Sequence, residues 1–297
     1  TQGTTTLSKY VQHSMFETVE RITAYLNSKH LTGEEDSLGR EKPFFNVVTA
    51  AVNVWYRATD LDRKDIRIKA SKKDDEMKAF IATAHLQQWM RDTNFGVFLN
   101  KWGRALAQYG SAVVKFVEKK GVLHAQVIPW NRLIVDAVDF EGNVKIEKLY
   151  LTPAQLKKQN VYDKEAVENL IEGHAGRPRE TLDGQRKDNL SGYIELYEVH
   201  GELPLSYLTE NDKDKDIYRQ QMHVISFIET KEGEYNDYCL FSGKESEDPY
   251  MITHLIEEDG RTLSIGAVEY LFDAQWMQNH SIKTMKDTLD LASRLIF

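Results

Sequence analysis

The sequence predicts an α+β protein in which several helices and antiparallel β-hairpins precede a long amphipathic helix at the end. Three observations predict it. Apolar residues recur at three- and four-residue steps in 9–28, 74–92, 95–109 and 264–297, the spacing of helices with one buried face. Between 111–150 and again between 193–256 the pattern turns to short runs rich in Val, Ile, Tyr and Phe separated by Gly-containing turns, as hairpins require. The last stretch lacks Pro, and its single Gly, Gly266, stands at its start.

Taken in order, 1–8 is small and polar and is expected to be disordered. A helix is expected from Lys9 to about Ser28, carrying Tyr10, Met15, Val19, Ile22 and Leu26. A polar loop over 31–41 leads to Pro43. The following block to Tyr56 is apolar on most sides and reads as a buried helix. Ile66 and Ile68 alternate with Arg67 and Lys69, which predicts a short strand. Two helices follow, one with Met77, Phe80, Ile81, Ala84, Leu86 and Trp89, the other with Phe98, Trp102, Leu106 and Tyr109. Their aromatic residues are read as core. Gly110 closes this helical part, and 111–150 is expected to be one four-stranded meander, interrupted at Pro129–Arg132. Thr152 before Pro153 is a helix start with a clear mechanism: a side-chain cap and a ring that needs no N–H. Helical segments follow to Ile171. The Gly-rich stretch 172–192 is expected to be flexible, and so is 207–215. A strand over 193–200, a hairpin around Gly233 and a strand over 250–256 complete the sheet-forming part. The regions read as 1–8, a helical and meander region 9–150, a helix, loop and hairpin region 151–263, and the last helix 264–297.

From Ile282 the last helix steps through Met285, Leu289, Ala292 and Ile296, a narrow seam suited to packing on another helix. About thirty helical residues would span roughly 45–50 Å. The chain stops without a Gly or Asn cap. It is therefore expected to belong to a longer protein, with the seam buried by further residues or by a neighbouring copy.

At 297 residues, 41% hydrophobic and 28% charged, the chain has an ordinary globular composition and enough length for a sizeable core. It has no apolar run of the roughly 18 residues that a membrane helix needs, and its first residues do not form a secretory signal. Cys239 is the only cysteine, which rules out an internal disulfide and fits a reducing compartment. A net charge of −8 argues against tight phosphate neutralisation but allows a protein that surrounds DNA and lets it slide.

Catalytic patterns are missing from the sequence. It has no phosphate loop, no GxGxxG and no HExxH, and one cysteine cannot complete a zinc site. Ser111 follows Gly110 without the rest of a nucleophile elbow. Asp60, Asp62 and Asp65 lack the Gly and late Glu of a calcium loop and read as a solvated turn balanced by Arg57, Arg63 and Lys64. No cofactor or metal is expected, and the chain is not expected to be an enzyme. Between Glu229 and Asp259, ten acids stand against Lys231 and Lys244. They read as a solvated face, or as an acidic surface that keeps anionic polymers from sticking.

Three blocks together resemble the portal proteins of tailed bacteriophages. The first runs Pro43-Phe44-Phe45-Asn46-Val47-Val48 through Val54-Trp55-Tyr56-Arg57 and on to Asp60-Leu61-Asp62-Arg63-Lys64-Asp65-Ile66. The second runs Trp102-Gly103-Arg104-Ala105-Leu106 through Tyr109-Gly110-Ser111-Ala112-Val113, with Val127-Ile128-Pro129-Trp130-Asn131-Arg132-Leu133-Ile134-Val135-Asp136 and then Leu151-Thr152-Pro153-Ala154-Gln155-Leu156. The third is Gly260-Arg261-Thr262-Leu263-Ser264-Ile265-Gly266-Ala267-Val268-Glu269 running into Leu271-Phe272-Asp273-Ala274-Gln275. Each block alone is mostly packing and turns; their order and spacing carry the resemblance.

The resemblance implies a homo-oligomeric ring of about twelve copies at one capsid vertex, closing by rotation through a heterologous interface. Double-stranded DNA would pass through it, without sequence preference, during packaging and ejection. The major capsid or scaffold protein, the terminase packaging motor and the tail or connector proteins would dock on it. The protein would be found in the virion, and in the host bacterial cytoplasm during assembly. The first 150 residues would be portal-like wing and the last helix a candidate stem helix, with the C-terminal crown-like part not present. If that helix lines the channel, Lys283, Lys286 and Arg294 are the candidates for light DNA-phosphate contact; alternatively they are solvated or paired with Asp287 and Asp290. Two other classes of function are weighed against this one. One is a helical adaptor or scaffold that binds a partner helix and not DNA. The other is a metal-dependent nuclease or hydrolase using Asp60, Asp136 and Asp139.

Overall fold

The computed structural model describes residues 14–37, 39–58, 61–119, 121–175, 192–209, 211–229 and 235–294. The expectations for 1–8, for 9–13, for most of the Gly-rich stretch and for the turn around Gly233 lie outside them. The described residues form a mixed α and β protein with nine α-helices and two antiparallel sheets. None of these helices is long and apolar enough to cross a membrane. The chain divides into two compact units, one made of 1–131 with 249–297, the other of 132–248.

The first unit begins with α1 (Met15–Leu26). Ser14 caps it, its Oγ accepting the Glu17 N–H at 3.3 Å, and Val19, Ile22 and Tyr25 are buried. Helix α2 (Val48–Ala58) is not apolar on most sides as expected. It buries Val48 and Val52, while Val54 is exposed, so it is amphipathic. The expected strand at Ile66 and Ile68 does not form. A 3-10 turn (Arg63–Asp65) precedes it, and side chains of α3 (Glu76–Asp92) take its backbone groups: Thr83 Oγ1 bonds both N–H and C=O of Ile68, and Gln87 donates to Ile66 O. Without a partner strand, an alternating pattern does not make a sheet. On α3 only Met90 is buried, and Met77 and Phe80, expected in the core, are 69% and 70% exposed.

Helix α4 (Phe95–Tyr109) ends at Gly110, whose φ of 73° is the left-handed cap that glycine supplies without strain. The chain then enters β1 (Ser111–Lys119), the middle strand of a three-stranded sheet. It pairs with β2 (Val122–Ile128), Val113 opposite Ile128, and with β8 (Tyr250–His254), Val113 opposite Ile252. The expected single meander over 111–150 is therefore divided between two sheets. Pro129 and a 3-10 turn (Trp130–Arg132) end the first, with the buried Trp130 donating its indole N–H to Ser111 O at 3.0 Å.

The last helix is two. After α8 (Ala267–Tyr270) comes a break at Leu271, and α9 (Phe272–Arg294) continues. Leu271 packs against the core, and its carbonyl accepts the Gln275 N–H that starts α9. Ile22, Val48, Val52, Ala107, Ala267 and Val268 form one buried cluster. All three blocks that carry the family resemblance thus contribute to the same core.

The second unit is a five-stranded sheet in the order β3-β4-β5-β6-β7: β3 (Leu133–Ile134), β4 (Lys145–Leu151), β5 (Ile194–Pro204), β6 (Tyr218–Glu229) and β7 (Tyr235–Lys244). Helices α5 (Pro153–Lys157) and α6 (Lys164–Ala175) cover one face, burying Leu156, Val167 and Leu170 against Ile194, Leu196, Val224 and Leu240. Thr152 and Gln155 form a full capping box at α5. The stretch expected as a flexible loop at 207–215 holds a short helix, α7 (Ser206–Thr209), and a 3-10 turn (Asp212–Asp214), linked by Thr209 Oγ1 to Asp214 at 2.9 Å.

Candidate functional site

The sequence-predicted basic positions lie on α9, a helix held in place by its buried polar face. Gln275 is fully buried. Its Nε2 donates to the Phe45 carbonyl at 2.7 Å and its Oε1 accepts the Val47 N–H at 3.0 Å. Asn279, one turn on, accepts the Phe45 N–H at 3.0 Å. The segment before α2 is thereby fixed against α9. Two other stripes remain on the helix. Positions 276, 280 and 283, at i, i+4 and i+7, face a cavity; 282, 285 and 289 form the apolar seam.

Lys283 lines the cavity, and its nearest carboxylate is Asp36 at 3.7 Å. The alternative pairing with Asp287 is taken elsewhere: Asp287 pairs with Arg40 at 3.1 Å, and Arg40 also holds Asp36 at 2.8 Å. Lys286 is exposed, and the Arg294 side chain lies outside the described residues. The seam residues Met285 and Leu289 are each 64% exposed, so the described residues do not bury them.

The cavity belongs to the first unit and measures about 320 Å³. Helix α1 gives it Arg21 and Tyr25, the following loop His30, Thr32 and Lys42, and α9 Trp276, Asn279 and His280 beside Lys283. Among the described residues no carboxylate lines it. The indole of Trp276 stacks on the His280 ring at 5.4 Å and 5°. The sequence does show Trp276, His280 and Lys283 at one-face helical spacing. Their partners, some 250 positions earlier, are joined to them only by the tertiary fold.

The other candidates act in turns. Asp136 Oδ1 accepts the N–H groups of Val138 and Asp139 at 2.8 and 3.0 Å, and these two bonds hold its carboxyl below the usual range. Asp139 accepts the Glu141 N–H, and Asp62 that of Lys64. Asp60 lies outside the described residues. Among the described residues no group of three or more His, Cys, Asp or Glu is arranged to hold a metal. Ser111 is buried, its Oγ accepting the Ser264 N–H at 2.7 Å. Of the acids in 229–259, Asp248 pairs with the buried Lys145, and Glu245 bonds the buried His200, whose other ring nitrogen meets Glu198 at 2.9 Å. That stretch is partly internal wiring.

No protein-family model matches this chain, and no curated protein matches it.

Proposed function

We propose that this protein is a subunit of a portal-type ring of tailed bacteriophages. The ring forms the channel for double-stranded DNA at one capsid vertex, during both packaging and ejection. It is also the platform on which capsid or scaffold protein, packaging motor and tail proteins dock. The role is mechanical, with no catalytic step. The protein resides in the virion and, during assembly, in the host bacterial cytoplasm.

The observation that carries the reading is a pair of separate exposed apolar faces in the first unit. One is the α9 seam with Met285 and Leu289; the other is the α3 row of Met77, Phe80 and Ile81. A head-to-tail ring requires two different faces on each subunit, one for each neighbour. Large exposed apolar side chains in rows mark surfaces that are covered in the working assembly. Shared packing of the three family-like sequence blocks around Val48, Ala107 and Ala267 supports the same reading. So does the net charge of −8, which suits a channel that must not grip its DNA.

Charge on the seam tests this reading. Met285→Lys with Leu289→Lys is expected to leave the subunit folded and to stop ring growth. Unchanged ring assembly in that double variant would count against the seam as the subunit contact. A discrete dimer in the wild type would favour the helical adaptor instead.

A further inference from the structure

We infer that the cavity between α1, the loop after it and α9 binds a phosphate-bearing ligand with a flat ring, of the nucleoside diphosphate class. The inference does not depend on the ring proposal. It starts from charge. Three basic side chains, Arg21, Lys42 and Lys283, converge on one concavity within a chain of net charge −8. Among the described residues, Lys283 alone of the three pairs with a carboxylate, Asp36 at 3.7 Å. Lys42 Nζ donates to Thr32 O, Thr32 Oγ1 and Gly33 O at 3.1, 3.2 and 2.9 Å, which are neutral acceptors. That fixes its position and leaves its charge uncompensated. Arg21 lies over the rings of Phe272 and Tyr25, at 4.3 and 5.5 Å, and among the described residues no carboxylate pairs with it. The Asp36 carboxylate beside Lys283 also bonds Arg40, at the shorter distance of 2.8 Å, so its charge is shared between the two.

A second observation is independent of charge. Arg21 Nε and His30 Nε2 are both shielded from solvent and have no hydrogen-bond partner among the described residues. Buried polar nitrogens are almost always paired; Arg21 Nε–H needs an acceptor, and so does His30 Nε2 in the tautomer that carries its proton there. A phosphate supplies several acceptor oxygens, the chemistry these groups pair with. Trp276, 58% exposed and backed by His280, offers a flat apolar surface at the same cavity. Its place suits a base ring stacking beside the phosphates. The volume is at the small end of ligand sites, adequate for a mononucleotide.

The test titrates the intact chain with ADP and with pyrophosphate by calorimetry, reading tryptophan fluorescence in parallel. The inference predicts saturable binding of both, with ADP the tighter. Lys42→Gln and Lys283→Gln should each weaken both ligands by about tenfold, the loss of one charged contact. Trp276→Ala should remove the fluorescence change and bring ADP down to the affinity of pyrophosphate. Arg21→Gln should do most harm. Because Arg21 also packs on Phe272, its result counts only if the melting curve is unchanged, and the lysine variants stand without it. No saturable binding of either probe at millimolar concentration would overturn the inference. So would equal affinities in wild type and both lysine variants, or pyrophosphate binding as tightly as ADP in the wild type.

Discussion

Gln275 on α9 donates its amide N–H to the carbonyl of Phe45, 230 positions earlier, at 2.7 Å. With Val47 N–H donating to the same side chain at 3.0 Å, one buried amide satisfies a backbone carbonyl and a backbone N–H of the segment before α2. Helix α9 is thus fastened to the start of α2 by hydrogen bonds and not by its apolar seam. Gln275→Ala would leave two backbone groups and a cavity, and should cost about 2–4 kcal/mol. Gln275→Met, which keeps the volume, should recover only the cavity part. Urea midpoints of the three proteins check this; equal midpoints for wild type and Gln275→Met would contradict it.

Gly110 and Gly266 are the tightest backbone approach in the first unit. A Cβ on Gly110 would stand 2.6 Å from the Ile265 carbonyl carbon, and one on Gly266 would collide with the carbonyl of Gln108. Gly110→Ala and Gly266→Ala should each destabilise by about 2–4 kcal/mol, because backbone on both sides must move. Gly33 has a similar positive φ of 82° but open space around it. Gly33→Ala should therefore cost only the backbone term, about 1–2 kcal/mol. Thermal melts rank the three.

Much of the local structure was legible in the sequence. The Thr152 cap with Pro153 was readable because capping chemistry lies within four residues. So were the α4 stop at Gly110 and the hairpin strands flanking Gly121, for the same reason of locality. What could not be read was pairing at long range. Strand β8 joins β1 from more than a hundred positions away, dividing the expected meander. Ile66 and Ile68 alternate like a strand but find only helix side chains beside them. Phe80 repeats like a core residue, and periodicity cannot tell a face packed inside the chain from one left outside it. The cavity was illegible because α9 and the α1 loop meet only in the tertiary fold, through pairs such as Lys283–Asp36 and Asp287–Arg40 that stand about 250 positions apart.

Two histidines make stability fall in acid. His223 Nδ1 meets Ser242 Oγ at 2.9 Å and its Nε2 meets Gln221 Oε1 at 3.0 Å; burial lowers its pKa below 6.5. His254, 2.8 Å from Ser264 Oγ, is lowered by burial as well, with Glu257 partly opposing. A lowered folded pKa means that the unfolded chain takes the proton first. Both contributions are therefore fully present above about pH 6.5 and are lost as pH falls from there towards the folded values. The unfolding free energy should decline as pH falls below about 6.5, and His223→Gln should flatten part of that slope. A flat profile in the wild type would contradict the assignment.

Lys145 contrasts with Lys148 in the second unit. The Lys145 side chain is 2% exposed, and its ammonium pairs with Asp248 at 2.5 Å and lies 4.6 Å from the Phe140 ring centre. Asp248→Ala strands a buried charge and should cost about 2–4 kcal/mol, somewhat less than a fully buried pair because Asp248 is partly solvated. Lys148 meets Glu195 at 3.8 Å with both side chains partly exposed, and Lys148→Ala should stay within about 0.5 kcal/mol. Paired urea titrations separate the two cases.

The central claim is assembly, and the mass and symmetry of the native particle test it most directly. Native mass spectrometry with negative-stain imaging of the protein, alone and with a phage capsid or scaffold protein, is expected to show closed rings with a central hole. The expected ring contains about twelve copies, each using two different faces. A protein that stays monomeric with those partners present, or that stops at a dimer, would contradict the account.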